Sequence, residues 1–194
     1  MPTHLRRVIA YGVGITMITL TGVVAVHAAR RVAQWPEHLS ALAINMGDFG
    51  RVRPGIVDIF VVRWSTRDER HRLVDAFVAG GPDELYEQLM STHEVGYLRT
   101  PDNRAYNIYL AWDEPTSNGG RRIVLATARP LKFWEAATPR SNTDGFTLIE
   151  IRLNSDGRGE GKMSITTKVA VSEELDLIEL ENYANEPARL IFTP

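Results

Sequence analysis

The hydrophobic pattern of the chain falls into three regimes. Val8 to Val26 is an uninterrupted apolar or near-apolar run without a charge. Between Thr66 and Met90 apolar residues recur at helical spacing. After His93 they fall in short runs, several alternating with polar residues, separated by turn residues. A recurrence of three to four predicts the buried stripe of a helix, and a recurrence of two predicts a half-buried strand.

Ile56 to Trp64 (IVDIFVVRW) is β-branched and aromatic with little alternation. That predicts a central strand covered on both faces. Ser65-Thr66 then opens a helix. Thr66 and Glu69 have capping-box spacing, in which each side chain satisfies the other's free backbone N–H. Leu73, Val74, Phe77 and Val78 supply the buried stripe. Gly80-Gly81 stops this helix, and Pro82 with Asp83 and Glu84 starts a second, whose apolar side is Leu85, Tyr86, Leu89 and Met90. Further strands are predicted near Val95 to Arg99, Tyr106 to Asp113, Arg121 to Ala128, Phe146 to Asn154, Glu160 to Val171, Leu175 to Asn182 and Arg189 to Phe192. Pro101-Asp102-Asn103, Asn118-Gly119-Gly120 and Asp156-Gly157 provide the reversals. Between Phe146 and Val171, Thr147, Ile149, Ile151 and Leu153 share one face. Glu150, Arg152, Lys162 and Lys168 share the other, so one face packs and one meets water. The predicted class is α+β: a curved, mostly antiparallel sheet of about seven to eight strands with a two-helix hairpin packed on one side.

The apolar run at the start changes the picture of where this domain works. Arg6-Arg7 precede it and Val26-His27-Ala28 come after it. A basic start, an apolar middle and a small-residue cleavage position are the layout of an export signal, cut after Ala28 or Ala29. The run is also long enough to cross a bilayer, so an uncleaved membrane anchor is the alternative. Arg6-Arg7 superficially resembles a twin-arginine signal, for which an ordinary basic start is the simpler account. The expected organisation is a signal peptide or anchor over 1–28, a poorly ordered connecting segment over 29–55 with some helix around His38 to Ile44, and a single α+β domain over 56–194. The protein is expected to be exported, periplasmic or secreted.

Charge and cysteine usage narrow the chemistry. Without residues 1–28 the chain has 20 basic and 24 acidic residues, a mildly acidic balance. That argues against nucleic acid as a partner, because phosphate binding needs a basic face. There is no cysteine, which excludes disulfides, thiolate nucleophiles, iron–sulfur clusters and cysteine-ligated zinc. Packing alone must hold the domain together.

Several segments are similar to a family of exported bacterial proteins without an assigned activity. They are Gly96-Tyr97-Leu98-Arg99-Thr100-Pro101, Gly119-Gly120-Arg121-Arg122-Ile123-Val124, Phe146-Thr147-Leu148-Ile149-Glu150-Ile151-Arg152, Ile178-Glu179-Leu180-Glu181-Asn182-Tyr183, and Arg63-Trp64-Ser65 running into the first helix. The resemblance spans roughly Val57 to Phe192. It implies export and one domain, and it implies no catalytic residue, cofactor or substrate.

Candidate chemistry is sparse. His71, His93 and Asp75 can be combined into a zinc site, yet the chain has no H-x-x-x-H or H-x-H pair, and a solvated helix histidine is the simpler reading of His71. Ser65 sits where a helix starts, without the G-x-S-x-G elbow of a nucleophile, and reads as helix-start chemistry. Asn154, Asp156 and Glu160 offer oxygen ligands to calcium, but their spacing is not that of an EF-hand, and a glycine-rich hairpin loop is expected. Phosphate-loop and dinucleotide motifs are lacking. Glu150, Arg152, Lys162, Lys168, Glu179 and Glu181 form a charged ladder, read as a solvated face. Trp64, Trp112 and Trp134 remain. Trp112 is placed on the same face as Ile108 and Leu110, opposite Tyr109. Rim aromatics line apolar pockets or close cores, and these three are the candidate ligand-binding residues. No catalytic residue, metal or cofactor is expected. The sequence therefore predicts a non-catalytic exported module that binds a ligand or an envelope protein, with membrane contact only through an uncleaved N-terminal segment. The alternatives are an enzyme assembled from His71, His93 and Arg63, and an accessory subunit of an envelope assembly joined at a sheet edge.

Overall fold

The computed structural model describes residues 36–45, 54–101, 104–129, 145–165, 169–172, 177–181, 183–185 and 188–193. The predicted signal peptide over 1–28, Trp134 and Lys168 lie outside them. Among the described residues, ten strands and one α-helix run in chain order: β1 (Glu37–Asn45), β2 (Gly55–Val61), α1 (Arg67–Ser91), β3 (Gly96–Arg99), β4 (Ala105–Pro115), β5 (Arg121–Thr127), β6 (Thr147–Leu153), β7 (Gly159–Ile165), β8 (Val169–Ser172), β9 (Leu177–Leu180) and β10 (Ala188–Phe192).

The sheet is not an open curve. Eight strands close into an antiparallel barrel in the order β1-β10-β7-β6-β5-β4-β3-β2, and β8 and β9 form a separate two-stranded sheet. Closure runs through β1, inside the stretch expected to be a connecting segment with some helix. It pairs with β2 from Glu37↔Val61 to Ala43↔Gly55, and with β10 from Leu42↔Ile191 to Asn45↔Ala188. A closed barrel leaves no strand with a wholly unpaired edge, although β1 meets β10 only over Leu42–Asn45.

The alternating faces of the strands fill the interior. Val57, Ile59 and Val61 of β2, Ile123 and Leu125 of β5, and Ile149, Ile151 and Leu153 of β6 meet Leu190 and Phe192 of β10 in one apolar cluster. Ala41, Ala43, Ala111 and Ala188 belong to it as well, where small side chains let facing walls approach. The expectation that β2 is covered on both faces is therefore wrong. Its other face turns Ile56, Asp58 and Phe60 outward, and Ile56 is 53% exposed.

The predicted capping box is present. Thr66 Oγ1 accepts from the Glu69 N–H at 3.2 Å, and the Thr66 N–H donates to Glu69 Oε2 at 2.8 Å. The two-helix hairpin is not. One helical element runs from Arg67 to Ser91 and kinks at Gly81, whose φ of 71° and ψ of −151° are non-helical. A left-handed φ at this residue suits glycine, and Pro82 restarts the helical turn behind it. Leu73, Val74, Leu85 and Leu89 pack α1 against the outside of the barrel, on Leu110, Val124, Ala126 and Leu148. Leu177, Ile178 and Leu180 of β9 join that second apolar cluster.

Two smaller differences matter for the site. The run expected as one strand from Glu160 to Val171 divides between β7 of the barrel and β8 of the outer hairpin. In β4 the register against β5 shifts between Ile108 and Leu110. This bulge inserts one extra residue and re-aims the side chains beyond it. Ile108 belongs to the interior cluster, whereas Leu110, Trp112 and Tyr109 belong to the outer one. Ile108 and Trp112 thus do not share a face, and Tyr109 and Trp112 lie on the same side.

Ile149 is fully buried at the centre of the barrel. Ile149→Ala is expected to lower the unfolding free energy by about 2–5 kcal/mol, the transfer term plus the cavity left by partial relaxation. Urea unfolding monitored by tryptophan fluorescence measures it.

Candidate functional site

Trp64 and Trp112 are not brought together. Trp64 lies just past β2 and packs on the interior cluster. The Arg121 guanidinium carbon stands 5.8 Å from its ring centroid. Arg121 donates to Glu37 at 2.6 and 3.1 Å and to Asp113 at 3.0 and 3.0 Å, linking β5 to β1 and β4. Burial works against the charge of this guanidinium, and the two carboxylates more than offset it, so its pKa lies above the ordinary value. Trp112 is half-buried in the outer cluster, with Arg70 stacked 3.7 Å above its ring. Both rings are covered by arginine and joined to a core, which is the structural role of a rim aromatic.

The scattered polar candidates also have structural partners. Ser65 is buried. Its N–H donates to the Ala111 carbonyl at 2.8 Å, and its Oγ accepts from the Ala111 N–H at 3.0 Å, tying the start of α1 to β4. Arg63 donates to both oxygens of Glu69 at 2.8 Å. These bonds hold the Glu69 carboxyl down at about 2, against the opposing effect of burial and with help from the Thr66 N–H. His71 lies 3.6 Å from Asp75 on an exposed helix face, and His93 is exposed in the loop after α1. Asn154 Oδ1 accepts from the N–H groups of Asp156 and Arg158 at 3.0 Å, and Glu160 pairs with Arg189 at 3.2 Å. Among the described residues, no group of three or more His, Asp and Glu side chains can hold a metal ion.

The charged ladder is solvated only in part: Arg152 and Glu181 are exposed, whereas its centre is not. Glu150 is fully buried, and Lys162, its cross-strand neighbour on β7, is 4% exposed. Glu150 Oε1 accepts from Arg122 Nε at 3.0 Å and from Arg152 Nε and Nη2 at 2.9 and 2.7 Å. Arg122 also donates to Glu179 of β9. Arg152 lies 3.9 Å from the centroid of Tyr183, in the short 3-10 turn Tyr183–Asn185 after β9. The Tyr183 hydroxyl donates to the Glu160 carbonyl at 2.9 Å, and burial pushes its pKa up to about 12. Arg122 therefore joins a barrel carboxylate to a hairpin carboxylate. The network fastens the β8–β9 hairpin to the barrel and has its charged groups turned toward one another.

The opposite side of the barrel, the outer face of β10, β1, β2 and β3, is different. Its outward residues form four cross-strand rows, the last being Ile44 with Arg189, whose guanidinium pairs with Glu160. His38, Phe60 and Tyr97 make the first, Ser40, Asp58 and Arg99 the second, and Ile56, Leu42 and Ile191 the third. The rings of the first row stack, with centroids 4.4 Å apart for His38–Phe60 and 4.8 Å for Phe60–Tyr97. His38 Nε2 lies 3.0 Å from Asp58 Oδ1. Leu42 is 38% exposed and Ile56 53%. Arg99 is exposed and pairs with no carboxylate among the described residues. The composition here is aromatic and aliphatic, with Asp58 and Arg99 side by side and Arg189 at the β10 border paired to Glu160. The sequence carries a signal for this face, the alternation hidden in IVDIFV, once β1 is recognised as a strand beside it.

A shallow depression of about 180 Å³ lined by Tyr106, Asn107, Tyr109 and Arg129 also opens at the surface. That is below the size range of typical small-molecule pockets. No protein-family model matches the chain, nor does any curated protein or solved structure.

Removing one member of a buried charge network leaves the others uncompensated. Glu150→Ala is expected to destabilise the domain by about 3–5 kcal/mol in urea unfolding. The Arg63–Glu69 pair has a pH signature. Its carboxylate has a folded pKa below the ordinary value of 4.5, so its contribution is present above that value and is lost as pH falls toward about 2. The stability difference between wild type and Glu69→Gln, measured by unfolding across acid pH, is expected to shrink over that interval.

Proposed function

We propose that this is a non-catalytic binding module of the bacterial cell envelope, exported by its N-terminal apolar segment, and that it engages a protein through the outer face of β10, β1, β2 and β3. The observation that carries the reading is the partly exposed His38–Phe60–Tyr97 stack beside exposed Leu42 and Ile56, with no element among the described residues packed over it. Protein interfaces are enriched in aromatic residues and arginine at a desolvated centre, and contiguous apolar rows on a surface mark such contacts. The filled barrel interior supports a role at the surface rather than in a lumen. Arg63, one member of the alternative enzyme site, is committed to Glu69, which removes support from that reading.

Photo-cross-linking in the producing cell tests it. A benzoylphenylalanine probe in place of Phe60 is expected to give one discrete protein adduct. The same probe in place of Val78, which is 72% exposed on α1, is expected to give none. Absence of a protein adduct at Phe60 overturns the reading.

A further inference from the structure

Resting on that protein-binding reading, we infer that the partner is a second copy of this chain, joined through the same face in a two-fold dimer. The argument is charge and shape reciprocity. Asp58 on β2 and Arg99 on β3 are direct cross-strand partners, yet they make no ion pair with each other. Asp58 engages His38 through Oδ1. Arg99 is exposed, with no carboxylate partner among the described residues. A face-to-face dimer has its two-fold axis in the plane of the interface, and residues related across that axis exchange partners. An axis running along the strands between β2 and β3 sets Asp58 of one copy against Arg99 of the other, and Arg99 against Asp58. The same operation sets Phe60 against Tyr97 and Tyr97 against Phe60, because these are also direct cross-strand partners. Two reciprocal ion pairs and two reciprocal aromatic contacts then come from one symmetry element. Facing sheets pack about 10 Å apart, a gap that interdigitating rings and an arginine–carboxylate pair can fill. A heterologous partner would have to supply both the missing carboxylate and a matching apolar surface. A second copy brings both at the required spacing.

The full-length chain in detergent, weighed by light scattering, tests this. Wild type is expected to be a dimer. Arg99→Asp gathers carboxylates at the axis and is expected to give monomer. The double variant Asp58→Arg with Arg99→Asp restores opposite charges in reciprocal positions and is expected to recover the dimer, which a merely unfolded variant cannot do. The chain has no cysteine, so single cysteines label cleanly. A short bismaleimide is expected to link copies carrying Ile56→Cys and not copies carrying Val78→Cys. A monomeric wild type overturns the inference, as does a dimer indifferent to Arg99→Asp. The Phe60 photoprobe keeps the two readings apart. An adduct of twice the subunit mass supports the dimer. An adduct with a different protein leaves the binding reading standing and removes the dimer, and an adduct with lipid removes both.

Discussion

Closure of the barrel by β1 is the constraint on which the remaining structure depends. Without its pairing to both β2 and β10, those two strands would be edges, and the interior cluster would be open along one side. Backbone donors and acceptors exposed at an edge invite pairing with other chains, and closure removes that hazard without a protective charge or proline. Two features make the closure fit. Ala41 and Ala43 place small side chains where β1 enters the interior, so the walls approach without displacing larger neighbours. Glu37 at the start of β1 accepts from Arg121, whose other carboxylate partner is Asp113 of β4. The end of the strand is thereby anchored to elements far away in sequence.

Once the barrel is closed, its outside has to be divided. The side formed by β4, β5 and β6 is roofed by α1 and β9, and its outward residues are accordingly apolar: Leu110, Val124, Ala126 and Leu148. Glu150 continues the same outward row and is covered by the same roof. A buried carboxylate is costly unless its charge is balanced and its oxygens are hydrogen-bonded. Arg122 and Arg152 balance the charge through Oε1 alone, leaving Oε2 buried without a hydrogen-bond partner, and Arg122 carries the connection on to Glu179 of the roof. The network specifies how the hairpin sits, which an apolar contact of equal area would leave freer to slide.

Much of this fold is legible locally, and the departures share one cause. The β3 to β7 strands, the Thr66–Glu69 box and the interior face of β6 are set by alternation, capping chemistry and turn residues within a few positions. β1 escapes a local reading because EHLSALAIN has leucine and alanine at spacings a helix tolerates, and only its pairing with β2 and β10 makes it a strand. Closure itself has no local sign. The bulge at Tyr109 carries no glycine to announce it, and so simple alternation assigns Trp112 to the wrong face. The ladder around Glu150 looks solvated in sequence because alternation tells which residues share a face but not what covers it. The tryptophans stand out by size, whereas the face with unmatched contacts is built from a histidine, a phenylalanine and a tyrosine that become neighbours only across three strands.

The roofed side also bears on the open one. Single exposed apolar residues are ordinary on a protein surface and need no account. Rows are different, because a closed barrel fills its interior with one face of each strand and has no internal need for apolar residues on the other. Where the outer face of β4, β5 and β6 is apolar, a cover is present. Where the outer face of β1, β2 and β3 carries Leu42, Ile56, Phe60 and Tyr97, the described residues supply none. The stacking of His38 on Phe60 and Phe60 on Tyr97 reduces the water-exposed area of the rings but leaves their edges and the aliphatic row in solvent. The physical rule that explains the first face therefore asks for an external surface on the second. Asp58 beside Arg99, neighbours that do not pair within one copy, limits which surfaces can satisfy it.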